Sequence, residues 1–229
     1  MRMITAALLA ALGLIATAQA DTGKTPLVVE MFTSKYCPNC PMAEHKMKGV
    51  AADEADVLMI FEHVDYWDSD DHKDPYGLAD VTQRQYDISG AMGKRAGEVY
   101  TPMPLIDGRI MVGNPLMFTW GSALEKGRAL AEKPRLETTL AKNGDLTIKV
   151  PPALYGANRE LWVLAVEPVE ATKVWRVRGV VQGDLKQRDA GGTVSIASAL
   201  LPKPYSYIAL LEEAGPGAVV AMGSYGLQK

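Results

Sequence analysis

"MFTSKYCPNCP", Met31 to Pro41, holds both cysteines of the chain. Two cysteines separated by two residues can be a structural staple, a metal clip or a redox pair, and the flanking sequence discriminates among these. Upstream, "PLVVEMF" (26–32) is a short apolar run suited to a buried strand. Downstream, "PMAEHKMKGVAA" (41–52) has helical spacing, with Met42, His45 or Lys46, and Val50 on one side and Glu44 and Lys48 on the other. The pair therefore falls between a strand and a helix. A helix N-terminus carries unpaired N–H groups and a partial positive charge, and both stabilise a thiolate. Cys37, expected at that N-terminus, is the candidate attacking sulfur. Cys40, one turn on and more buried, is the candidate resolving thiol. Pro38 between them has no N–H to lose in a first helical turn.

The alternation continues. "DVLMIFEHV" (56–64) predicts a second buried strand, "LADVTQRQYDISGAMG" (78–93) a helix ending in glycine, and "PLIDGRIMVG" (104–113) a hairpin turning at Asp107-Gly108. "PLMFTWGSALEKGRALAEK" (115–133) predicts a last helix. The expected order is β-α-β-α-β-β-α. After Lys133-Pro134 the helical spacing stops. "RLETTLAK", "DLTIKV", "ELWVLAV", "VWRVRGVV", "TVSIAS", "YSYIALLE" and "AVVAMGSY" alternate between turn signals. Roughly seven strands so spaced predict a small antiparallel sandwich.

"VVEMFTSKYCPNCP" resembles the active-site segment of the thioredoxin superfamily, close to glutaredoxin-like Cys-Pro-x-Cys sites, and "VYTPMPLIDGR" (99–109) resembles its cis-proline segment. The resemblance implies a cis bond between Thr101 and Pro102, with Pro102 facing the cysteines and Thr101 offering backbone to a bound peptide. Met103-Pro104 is the competing site, since any X-Pro bond can be cis. The superfamily's buried acid would fall on Met31. Glu30 beside it is expected on the opposite face of the strand, so the thioredoxin proton relay does not carry over unmodified. "FEHVDYWDSDDHKDPYG" (61–77), with the two segments above and a "RVRG" element in the β-rich tail, is similar to the secreted DUF1223 group of thioredoxin-like proteins. The fold class implied is an α/β thioredoxin-like domain, residues 21–133, followed by an antiparallel β-sandwich-like domain, residues 134–229.

Parallel strands gather their ligand-binding ends together, so His63, Asp65, Tyr66, Trp67 and Asp68 are expected near Cys37. His63 or Asp65 is the candidate proton acceptor for Cys40, and Trp67 a candidate groove wall. The bland alternative is a hydrogen-bonded histidine at a strand end with Tyr66 and Trp67 packed under a loop. The acidic run "DSDDHKD" (68–74) lacks calcium-loop spacing and reads as a solvated loop. His45 and His72 read as surface residues, and Met42, Met47 and Met103 as core or groove.

Three function classes follow. The first is a periplasmic thiol–disulfide oxidoreductase acting on protein thiols or disulfides, with the Cys37–Cys40 disulfide its only redox group. The second is a copper-binding or copper-delivery protein, since two thiolates with His63 or Met103 suit Cu(I). The third is a binding module with the pair locked as an inert disulfide.

Met1 to Ala20 has an early Arg2, the apolar run "ITAALLAALGLIATA" and a terminal "AQA", the pattern of a signal peptide cleaved after Ala20. Its apolar run is short of the roughly 20 residues a membrane span needs, and no later run qualifies. An exported chain free of the membrane after cleavage, periplasmic or secreted, is expected. Loss of Arg2 would take the formal charge of −3 to −4. Without a basic excess, nucleic acid and anionic membranes are poor partner classes.

Overall fold

The structure, a computed structural model, describes residues 24–94, 98–113, 120–130, 132–156, 158–170, 172–202, 205–215 and 217–227. The expected signal peptide lies outside the described residues.

The N-terminal half follows the expected order: β1 (Leu27–Thr33), α1 (Cys40–Asp53), β2 (Val57–His63), α2 (Ala79–Ala91), β3 (Met103–Ile106), β4 (Ile110–Met111) and α3 (Trp120–Arg128). The seven predicted segments of the tail become β5 (Glu137–Leu140), β6 (Leu146–Lys149), β7 (Arg159–Pro168), β8 (Val174–Gly183), β9 (Thr193–Ile196), β10 (Ser206–Glu213) and β11 (Val219–Tyr225).

Their assembly departs from expectation. A thioredoxin-like domain followed by a β-sandwich-like domain does not form. Instead the chain builds one mixed eight-stranded sheet in the order β11-β10-β7-β8-β2-β1-β3-β4, with a small three-stranded sheet β5-β6-β9. Only three α-helices occur among the described residues, too few to sheathe such a sheet. The joint is β8, which pairs in parallel with β2 through Met59↔Val174, Ile60↔Trp175 and Phe61↔Arg176, and antiparallel with β7. The reason is backbone satisfaction. All seven residues of β2 are buried, so its N–H and C=O groups need a strand on each side. β1 covers one side and β8 the other.

Alternation sorts side chains to two faces. On one, Val28, Phe32 and Ile60 share a core with Val81 and Ile88 of α2 and with Leu164, Ile208 and Leu210 from the tail. On the other, Val29, Met31, Met59 and Phe61 pack under Ala43 and Met47 of α1 and Leu124 of α3. Further along that sheet, Leu146, Ile148 and Val194 of the small sheet cover Leu161, Val163 and Ala209. The buried stripe of α1 is Cys40, Ala43, Met47 and Ala51. It differs from the expected stripe: Met42 is 62% exposed. Small alanines let the helix lie close on the strands.

The Asp107-Gly108 turn adopts positive φ at both residues, 50° and 63°, as a two-residue hairpin requires. The Asp107 carboxylate accepts the Val28 N–H at 2.9 Å and pairs with Lys133, and its carbonyl accepts the Val219 N–H at 3.0 Å. This turn ties β1, the end of the first half and β11 together.

Candidate functional site

Cys37 and Cys40 form a disulfide. Helix α1 starts at Cys40, with Asn39 as its cap position, so Cys40 rather than Cys37 opens the helix. Cys37 sits in the preceding turn. Its N–H donates to the Ser34 carbonyl at 3.3 Å and its carbonyl accepts the Cys40 N–H at 3.1 Å. Cys37 is 2% exposed and Cys40 0%, while Pro38, Asn39, Pro41 and Met42 around them are exposed.

Topology brings the other predicted residues to this end of the sheet. β1 and β2 run parallel, with Thr33↔His63 as their last pair, so His63 ends beside the strand that feeds the cysteine turn. β3 runs antiparallel to β1 and starts with Met103 opposite Phe32, so Thr101 and Pro102 enter at the same end. The Thr101–Pro102 bond is cis, and no other cis bond occurs among the described residues, Met103–Pro104 included. Pro102 is buried and Thr101 half-buried.

His63 is 3% exposed, and its Nδ1 lies 2.8 Å from Asp74 Oδ2. Asp74 is the last acid of the run expected to be a solvated loop, yet it is 4% exposed. It also accepts the Lys35 N–H at 2.7 Å, from the cysteine turn, and the Tyr76 N–H at 2.9 Å. Burial opposes its charge, but the bonds from His63, Lys35 and Tyr76 outweigh it and hold the carboxyl well below the usual carboxylate range. An ionised Asp74 can only accept, so His63 carries its proton on Nδ1. His63 Nε2 is buried with no hydrogen-bond partner among the described residues.

The loop between β2 and α2 forms a cover over the cysteine turn. Trp67 donates its indole N–H to the Thr101 hydroxyl at 2.8 Å. The His72 ring lies 4.0 Å from the Tyr36 ring, and its Nε2 is 3.2 Å from the Trp67 carbonyl, so His72 is half-buried rather than a plain surface residue. From β8, Arg176 stacks on Tyr76 at 3.8 Å and Arg178 donates to the Pro75 carbonyl at 3.1 Å. Asp65 is engaged with α2: its N–H donates to the Thr82 hydroxyl, which donates back to its carboxylate, near the start of that helix.

Glu30 faces α2, as expected for a residue next to Met31 on a strand. There it joins a buried quartet. Arg84 of α2 binds Glu30, donates to both carboxylate oxygens of Glu212 at 3.0 and 2.7 Å, and lies 3.6 Å from Glu62. All four are at most 1% exposed. One guanidinium faces three carboxylates, an arrangement too costly to keep fully ionised. Burial pushes Glu62 well above the usual carboxylate range, against the pull of Arg84, and its neighbour Glu30 pushes it further. Neither Glu62 oxygen has a hydrogen-bond partner among the described residues, which adds to the pull of burial toward its protonated form.

Sequence reasoning missed Asp74, Arg84, Glu62 and Glu212. Two glutamates inside otherwise apolar strand runs were the available sign of a buried cation. Arg84 is spaced three residues from Val81 and four from Ile88, on the core face of its helix. Nothing marked Asp74 off from its exposed acidic neighbours.

Among the described residues no three His, Cys, Asp or Glu side chains converge as a metal-holding group. No helix among them is long and apolar enough to cross a membrane.

Two solved structures share this fold. The crystal structure of protein AGR_C_4864 from Agrobacterium tumefaciens is 22% identical, covering 90% of this chain and 98% of that one, with a TM-score of 0.62. HBP35 of Porphyromonas gingivalis is 16% identical over 90% of this chain and 76% of that one, with a TM-score of 0.54. No curated protein matches. A family described as a protein of unknown function, DUF1223, matches residues 28–185, which runs from β1 through the β8 arginines. The chain belongs to the DUF1223 family.

Proposed function

We propose that this chain is an exported thiol–disulfide oxidoreductase whose redox group is the Cys37–Cys40 disulfide. The observation that carries the reading is this disulfide itself, made by the chain's only two cysteines in a turn whose neighbours Pro38, Asn39, Pro41 and Met42 are exposed. A leader of the secretory pattern supports an oxidising compartment, where such a bond persists.

The exchange balances without another cofactor. In the oxidising direction a partner thiolate attacks Cys37 Sγ, and the S–S bond breaks with its electron pair leaving on Cys40. A second partner thiol, as its thiolate, attacks the partner sulfur of the mixed disulfide and releases the Cys37 thiolate. The partner is oxidised to a disulfide, the pair is reduced to a dithiol, and two protons pass from the partner thiols to the protein and solvent. Reduction of a partner runs the same steps backwards, with Cys37 attacking and Cys40 resolving. His63 serves as the proton group, and a partner segment lies along Thr101 beside Pro102.

The test is equilibration in glutathione buffers. Exchange is expected, and Cys40→Ser should trap a mixed disulfide on Cys37 that Cys37→Ser cannot form. A potential near −120 mV marks an oxidant and one near −270 mV a reductant. A potential well below about −300 mV, with thiols inert in the folded protein, overturns the reading.

A further inference from the structure

We propose that Asp74 is a positioning residue of the disulfide centre: it fixes His63 with its proton on Nδ1, leaves Nε2 bare toward the α1 face, and holds the cysteine turn through Lys35. The inference rests on the thiol–disulfide reading and extends it to how the site moves its proton.

The placement follows from alternation along β2. Phe61 belongs to the core under α1, Glu62 turns to Arg84 on the opposite face, and His63 returns to the α1 face. Its register partner Thr33 donates to Glu44 of α1 at 2.7 Å. Glu44 is one turn after Cys40 on the same side of that helix. His63, Thr33, Glu44 and Cys40 thus lie on one face, at one end of the sheet.

A buried ring nitrogen without a partner costs free energy and calls for an explanation, and a part in proton transfer supplies one. Its opposite nitrogen is committed to Asp74, which two further N–H donors hold in place. The arrangement is that of an orienting carboxylate behind an imidazole base. When a partner thiolate forms and attacks Cys37, bare Nε2 takes up the proton released by the partner thiol, the electron pair arrives on Cys40, and Nε2 passes that proton to the Cys40 thiolate and is bare again. In reverse, Nε2 accepts the Cys40 proton as that sulfur attacks. Asp74 touches neither sulfur in this scheme and acts through the ring and the turn.

Charged and titratable groups near the pair come from each packed element: Glu44 of α1 bonds Thr33, the register partner of His63; Lys35 and Asp68 contact Asp74; Tyr76 contacts His63; Tyr36 and His72 pair beside them; and Arg176 and Arg178 of β8 lie over Tyr76. The edge of Tyr76 rests on the His63 ring, 5.2 Å between centroids, and Arg176 covers the Tyr76 ring. The tail thereby braces Asp74's loop.

The test uses the full chain with nitrogen-15 in its three histidines. In the wild type, His63 should carry its proton on Nδ1, and its Nε2 resonance should move when the disulfide is reduced. An Nε2–H ring, or a resonance indifferent to reduction, overturns the inference without any variant. Asp74→Asn should slow exchange with reduced glutathione at least about tenfold near neutral pH, with a wild-type to variant ratio that changes from about pH 5 to about pH 9. Asp74→Glu should restore part of the rate. A ratio constant with pH means a packing role only and sinks the proposal, as does a rate within about twofold of wild type. A wild type that never exchanges defeats the parent reading, and this inference with it, whatever the ring's tautomer.

Discussion

The indole N–H of Trp67 bonds the hydroxyl of Thr101 at 2.8 Å, which joins the loop after β2 to the residue ahead of Pro102. Trp67→Phe keeps an aromatic ring and removes the donor. Losing one such bond costs about 1 kcal/mol, or about fivefold in an equilibrium. If Thr101 meets the partner, exchange with a disulfide-bonded protein should fall about fivefold while exchange with glutathione stays within about twofold. Equal losses on both substrates would remove Thr101 from partner binding.

The quartet makes opposite predictions for its members. Arg84→Met leaves three buried carboxylates without their cation and should destabilise by at least about 3 kcal/mol. Glu62→Gln replaces the carboxyl that burial keeps protonated with a neutral group of the same shape, so stability should stay within about 1 kcal/mol of wild type. Urea denaturation of both variants measures this. A large loss in Glu62→Gln would mean that Glu62 is ionised.

Stability should fall as pH rises through neutrality. Burial pushes Glu212 up to about 7, against the attraction and hydrogen bonds of Arg84. Its unfolded value is about 4.3, so its contribution is complete below that pH and disappears as pH passes about 7. Glu62, pushed up by burial, acts in the same direction. Asp74 acts oppositely: its depressed carboxyl stabilises above its unfolded value of about 3.9 and loses that only as pH falls into the acid range. Thermal melts should therefore peak on the mildly acidic side and decline toward about pH 8, and Glu62→Gln should shrink the decline. A midpoint that climbs over this range contradicts the raised carboxyls.

Gly108→Ala should be severe. The position has a φ of 63°, and an added Cβ would lie 2.1 Å from the Gly217 carbonyl oxygen. Strain and overlap together should cost more than about 2 kcal/mol. Calorimetry checks it. A midpoint within about a degree of wild type would show that the turn and the Gly217 segment part easily.

Much of this was legible in the sequence. Short apolar or alternating runs between turn residues announce each strand of the tail, and the apolar runs at 26–32 and 56–64 announce strands buried on both faces. Which strand lies beside which is another matter. Pairing of β8 with β2 joins residues more than a hundred positions apart, and only three register pairs carry it. Local periodicity holds no trace of such a pairing. A parallel strand buried on both faces does require two neighbours, so β2 raised the need without naming the supplier. The cysteines stood out by residue type, and Thr101-Pro102 by the resemblance of its segment to a cis-proline segment. Asp74 did not, because its role comes from bonds to His63 and to a backbone N–H in a turn 39 residues earlier, which local sequence does not display.

The seam between β2 and β8 decides how this chain can be divided. A fragment ending at Lys133 would keep the cysteines, His63 and Asp74, but it would bare one side of β2. It would also strip Arg84 of Glu212 and Tyr76 of its arginine cover. An open, mostly apolar strand recruits strands from other molecules. Such a fragment should aggregate rather than report on the disulfide, so expression trials and crystallisation of shortened forms should keep β8 and β10 together with the cysteine loop.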